Sequence, residues 1–92
     1  MSIFIADHHL KDVDTWFEMF TANPPPDIGN WRLIRGIDDP NRVQVLGEMT
    51  APEVEDVKDY LKSERMQNVF KRVNEISTSP VSFTGFDEVV PG

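Results

Sequence analysis

The run WRLIRGIDDPNRVQVLGEM, residues 31 to 49, decides the fold of this chain. Trp31 to Ile37 and Val43 to Met49 are two β-rich runs on either side of Asp38, Asp39, Pro40, Asn41 and Arg42. Trp31, Leu33 and Ile37, then Val43 and Val45, place apolar groups on one face of each run, and an acidic Pro-Asn segment does not belong inside a helix. The reading is a β-hairpin whose loop is the Asp38–Arg42 segment.

Outward from the hairpin, the pattern alternates between strand and helix. Ser2 to His8 has period 2 with apolar residues on both parities: Ile3 and Ile5 on one side, Phe4 and Ala6 on the other. That strand is expected to be covered on both faces. Asp12 is placed to cap a helix, with Asp14 adding favourable charge in its first turn. Val13, Trp16, Phe17 and Phe20 then fall on one helical stripe, and Asn23-Pro24-Pro25-Pro26 ends it, because proline lacks the amide hydrogen that a helix interior needs. After the hairpin, Thr50-Ala51-Pro52-Glu53 is a capping box that opens a second helix with a stripe of Val54, Val57 and Leu61. Ser63 can cap the chain again, which predicts a break before Met66, Val69, Phe70 and Val73 renew the stripe. Residues Pro80 to Phe86 form a last strand, with the proline where an edge tolerates it.

The order is therefore β-α-β-β-α-β in a single domain over residues 1–92. Two interleaved β-α-β units give a ferredoxin-like α+β fold, a four-stranded antiparallel sheet with both helices on one face. Leu33 and Ile34 make the hairpin apolar on both parities, like the first strand, so the face without helices is too apolar for water. A second copy packed sheet to sheet, related by a two-fold axis, would cover it.

Composition narrows the function. Nine Lys+Arg against sixteen Asp+Glu give a net charge of −7, which repels phosphate backbones and anionic lipid, so neither nucleic acid nor a membrane surface is an expected partner. The absence of cysteine removes disulfides, thiolate metal sites and thiol nucleophiles. The N-terminal residues read as a strand rather than a signal peptide, no apolar run approaches the roughly 20 residues of a membrane span, and the expectation is a cytoplasmic protein. A chain of this length buries only about 60 to 65% of its extended surface, which favours association. No nucleophile elbow, phosphate loop, dinucleotide fingerprint or metal-ligand spacing occurs, so no cofactor or metal is expected.

With His8, Leu10, Asp12 and Trp16 near the N-terminus, and Arg35, Asp38, Asp39, Pro40, Asn41, Val43, Val45, Leu46 and Glu48 in the hairpin, the sequence resembles the dimeric α+β barrel superfamily. That superfamily includes antibiotic-biosynthesis monooxygenases and small polyketide cyclases, and the nearest likeness is to its short cyclase-like members. The resemblance spans almost the whole chain. It implies a homodimer and cofactor-independent chemistry on an aromatic, polyketide-like or quinol-like substrate: oxygenation, cyclisation or isomerisation. Haem-degrading members use a histidine on the second helix, and no histidine follows His9 here, so haem handling is disfavoured.

His8 ends a strand on the parity of Phe4 and Ala6, where a neutral imidazole can act as a general base or bond a phenol. A histidine bonded to neighbouring backbone is the competing reading. His9 points the other way. Arg32 and Arg35 lie on opposite faces of the second strand, and either guanidinium suits a carboxylate or enolate; for Arg35 an ion pair with Glu48 or Asp7 competes. Trp16, Trp31, Tyr60 and Phe83 are candidate walls of a pocket for a flat apolar molecule, although helical stripes of this kind also make ordinary cores. Trp31 could instead anchor an interface. Two function classes stay open: a small-molecule enzyme with His8 and Arg35 as catalytic groups, and a non-catalytic binding or assembly module whose cleft is filled by its own side chains.

Overall fold

The computed structural model describes residues 1–91. Strand β1 (Ser2–His9) is followed by α1 (Val13–Ala22), β2 (Asn30–Arg35), β3 (Arg42–Met49), α2 (Ala51–Leu61), α3 (Glu64–Glu75) and β4 (Ser82–Asp87). The strands form one sheet in the order β2-β3-β1-β4, with each neighbouring pair antiparallel. This is the ferredoxin-like α+β arrangement, with its second helical segment in two pieces. Among the described residues no helix is long and apolar enough to cross a membrane.

The local signals act as their chemistry requires. Asp12 caps α1 by accepting from the Thr15 amide at 3.1 Å and from the Thr15 hydroxyl at 2.6 Å. Thr50 and Glu53 form a full capping box at α2. Ser63 caps α3 by accepting from the Met66 amide, and the helical pattern breaks there. Two boundaries differ from expectation by two residues: β4 starts at Ser82 rather than Pro80, and β2 stops at Arg35 rather than running to Ile37. The Gly36 amide donates to the Arg42 carbonyl at 2.9 Å, and the Arg42 amide to the Asp39 carbonyl at 3.0 Å. The chain is already turning at Gly36, and Ile37 stands at the tip with 97% of its surface exposed.

Strand register sorts every side chain onto one of two faces. Phe4 pairs with Gly47 and Gly85, Ala6 with Val45 and Phe83, and His8 with Val43. These residues, with Trp31, Leu33 and Arg35 of β2, belong to the face beneath the helices. Phe4, Ala6, Val43, Val45 and Met49 are buried there against Trp16 of α1, Val54 and Val57 of α2, and Met66, Val69 and Val73 of α3. Gly47 is small for a reason: a Cβ there would meet the Trp31 ring at 2.8 Å. The indole lies across it.

Among the described residues nothing covers the other face. It carries Ile3, Ile5, Leu46, Ile34 and Phe86, of which Ile34 and Phe86 are 48% and 54% exposed. The molecule measures 42 × 34 × 20 Å, and its shortest dimension is one helix layer plus one sheet layer. Its accessible surface, 5991 Å², exceeds the roughly 5,400 Å² typical of a folded monomer of 10.5 kDa. The excess fits a slab with one face unpartnered.

Candidate functional site

Between the helices and the sheet lies a cavity of about 80 Å³. His8 and Ala6 of β1 form part of its floor, Trp16 and Phe20 of α1 one wall, Tyr60 and Met66 another. The segment Asn23–Pro26 closes one end. That end is built by hydrogen bonds: the Trp31 indole Nε1–H donates to the Pro26 carbonyl at 3.0 Å, and the Asn23 side-chain amide donates to the Met19 carbonyl at 3.0 Å. Three consecutive prolines hold the segment stiff and offer no amide hydrogens of their own.

His8 is the chemically distinctive residue. It is 4% exposed, its ring packs 4.9 Å from that of Trp16, and its Nδ1 is, among the described residues, the only buried side-chain polar atom without a hydrogen-bond partner. Leaving such an atom unpaired costs about 1–3 kcal/mol. Burial also holds the imidazole pKa down, to about 4, with His9 contributing and the charge of Asp7 opposing. The ring is therefore neutral at pH 7. A neutral imidazole keeps one lone pair and one N–H, so it can accept from or donate to a hydroxyl that reaches it.

Aromatic rings surround this position in defined geometry. Trp16 stacks on Phe20 at 5.2 Å with 21° between planes, and Phe70 meets Phe83 edge to face at 5.1 Å. Such walls accept a flat ring. Of the residues singled out from sequence, His8, Trp16, Trp31, Tyr60 and Phe83 all line the cavity. Trp31 stands on the helix-covered face, at the cavity rather than on the uncovered sheet face.

The arginines are placed elsewhere. Arg32 pairs in register with Leu46, on the face without helices, and meets Glu48 at 3.3 Å. Arg35 shares the helix face but lies outside the cavity wall: its Nε donates to the Pro40 carbonyl at 2.5 Å and its guanidinium sits 6.0 Å from the Phe17 ring centroid. The expected ion pairs of Arg35 with Glu48 or Asp7 do not form, because register gives those carboxylates other partners. Glu48 takes Arg32. Asp7 takes Arg42 in a two-pronged contact at 2.9 and 3.2 Å, which holds the Asp7 carboxyl below its usual range. His9 lies 3.7 Å from Asp7 on that same outer face.

Asn23, Pro24, Pro25 and Pro26 are the site residues that sequence reading missed. The sequence pattern gives them only the job of stopping α1, and the signal for more is the stiffness of the proline run next to an amphipathic stripe. Among the described residues no group of three or more histidine, aspartate or glutamate side chains could hold a metal ion.

The chain has the same fold as several crystal structures of antibiotic biosynthesis monooxygenase proteins. A crystal structure of an antibiotic biosynthesis monooxygenase superposes with a TM-score of 0.70 at 16% identity, over 98% of this chain and 100% of that one. A conserved protein from Methanosarcina mazei Go1 gives 0.74 at 9% identity, over 96% and 92%. SnoaB, a cofactor-independent oxygenase from Streptomyces nogalater, gives 0.66 at 14% identity, over 99% and 97%. At these identities the likeness is one of fold. No protein-family model matches the sequence, and no curated protein matches it.

Proposed function

We propose that the chain binds a small aromatic or polyketide-like molecule in the helix–sheet cavity, and that His8 begins cofactor-independent chemistry on it. One observation carries the reading: a histidine that lines an aromatic cavity and whose buried Nδ1 has no partner. The fold shared with a cofactor-independent oxygenase supports it. Oxygenation, cyclisation and isomerisation have a first step in common, removal of a proton from an acidic O–H or C–H of the substrate. A neutral His8 can take that proton. Its low pKa makes it a weak base, so the substrate anion must form beside the imidazolium and stabilise it. Arg32 and Arg35 take no part in this scheme.

The uncovered sheet face supports a second element of the proposal: two copies pack through Ile3, Ile5, Ile34, Leu46 and Phe86. That interface would leave each cavity on the outer, helical side of the dimer.

A second reading is favoured by the size of the cavity, which is small against the roughly 300–1,000 Å³ usual for ligand sites. In that reading the cleft is closed by its own side chains and the dimer is a binding or assembly module. Deuterium exchange separates the two. With the one-ring ketone phenylacetone in D2O, the enzyme reading expects exchange of the α-protons faster than buffer, and at least about a hundredfold loss of that increment in His8→Gln. Exchange at the buffer rate in both proteins would rule out the catalytic reading.

A further inference from the structure

We infer that the cavity selects an uncharged ligand about one aromatic ring in size, carrying a single hydroxyl that pairs with His8. The inference rests on the cavity being a ligand site, and it adds size, charge and polarity to that reading.

Charge is excluded by the wall. Among the described residues no lysine, arginine, aspartate or glutamate lines the cavity. The Arg65 guanidinium touches the lining from outside, donating to the Asn23 Oδ1 at 3.4 Å, and Arg35 is held away by the Pro40 carbonyl and the Phe17 ring. The one ionisable imidazole stays neutral because protonating it would place an unpaired charge among aromatic rings. A carboxylate or ammonium entering here would lose its water and gain no counter-ion among the lining side chains.

Polarity is limited because two of the other polar side chains of the lining are committed. The Trp31 indole is spent on the Pro26 carbonyl and the Asn23 amide on the Met19 carbonyl. Prolines 24 to 26 offer no donors. His8 remains, deep in the wall, with the Trp16 indole N–H and the half-buried Tyr60 hydroxyl as the other side-chain partners in the lining. A second hydroxyl placed among Phe20, Val69 and Val73 would lie unpaired against hydrocarbon.

Size follows from volume. An apolar cavity of about 150 Å³ is known to take benzene. The space here is about 80 Å³. Met19 and Met66 line it, and unbranched thioether side chains give way more readily than aromatic ones. Their movement makes room for one ring. Fused rings would have to displace the stacked Trp16–Phe20 pair or the hydrogen-bonded proline segment.

Phenol, toluene, benzoate, 1-naphthol and 9-anthrol, titrated at pH 7 against the full chain and followed by the backbone and indole N–H resonances, test this. Phenol is expected to bind about tenfold more tightly than toluene, through one hydrogen bond. Benzoate should bind at least about tenfold more weakly than phenol, with 1-naphthol and 9-anthrol falling away in that order. In His8→Gln and His8→Phe the toluene affinity should hold within about threefold while the advantage of phenol disappears in His8→Phe and is kept in part by His8→Gln. Benzoate or 9-anthrol binding as tightly as phenol, with shifts at Trp16, would overturn the selectivity while leaving the ligand site standing. No shift at Trp16 with any of the five would overturn both.

Discussion

The two faces of one sheet carry similar numbers of apolar side chains and have opposite fates. Phe4, Ala6, Val43 and Val45 are sealed under helices, and among them sits a histidine with nothing to bond. Ile3, Ile5, Leu46, Ile34 and Phe86, one residue out of phase, lie open beside the ion pairs Arg42–Asp7 and Arg32–Glu48. The covered face spends its apolar surface on a fold and tolerates one unsatisfied polar atom. The open face satisfies its charges and leaves apolar surface unsatisfied. The proposed function divides along the same line: ligand chemistry beneath the helices, self-association on the other side.

The largest blow to this division comes from the covered side. Trp16 is 2% exposed and packs on His8, Phe17 and Phe20, so Trp16→Ala should cost about 3–5 kcal/mol. Urea unfolding would show it as a lower midpoint, and for so small a domain the variant stands close to unfolding in water. Loss of less than about 1 kcal/mol would mean that the aromatic wall is not part of the core.

A smaller and different effect is expected on the open side. Phe86→Asp puts a carboxylate beside Ile3 on the edge strand of that face while leaving the buried side chains in place. Its dimer dissociation constant should rise on the order of 30-fold, about 2 kcal/mol, with the far-ultraviolet circular dichroism retained. Sedimentation equilibrium measures it. A wild-type chain that sediments as a monomer at micromolar concentration would remove the interface altogether.

Much of the fold was legible because its signals are local. Asp12, Thr50 and Ser63 cap helices through atoms three residues away, and Pro24 to Pro26 stop one through their own rings. The hairpin was legible too, apart from its tip: the pattern of alternating apolar residues carried Ile37 into a strand that Gly36 had already ended. The site was legible only where parity decided it. His8 lies on the helix side because Phe4 and Ala6 do. Arg32 and Arg35 could not be assigned in the same way, since their neighbours Leu33 and Ile34 are both apolar, and a one-residue change of register exchanges the faces. The cavity end was not legible at all. It depends on where the Trp31 indole meets the Pro26 carbonyl, and that distance is a property of the folded chain.

The central claim is that His8 is neutral, unpaired within the protein and available to a ligand. Nitrogen-15 spectra of the two histidine rings, recorded against pH with and without saturating phenol, test it most directly. In the free protein His8 should stay neutral down to a pKa of about 4, with the proton taken up below that value opposed by burial and by His9 and favoured by Asp7. Phenol at pH 7 should move the His8 ring nitrogen that accepts its hydroxyl and leave the His9 ring, on the outer face, unmoved. A His8 that titrates near 6.5 and whose nitrogens ignore phenol would contradict the account.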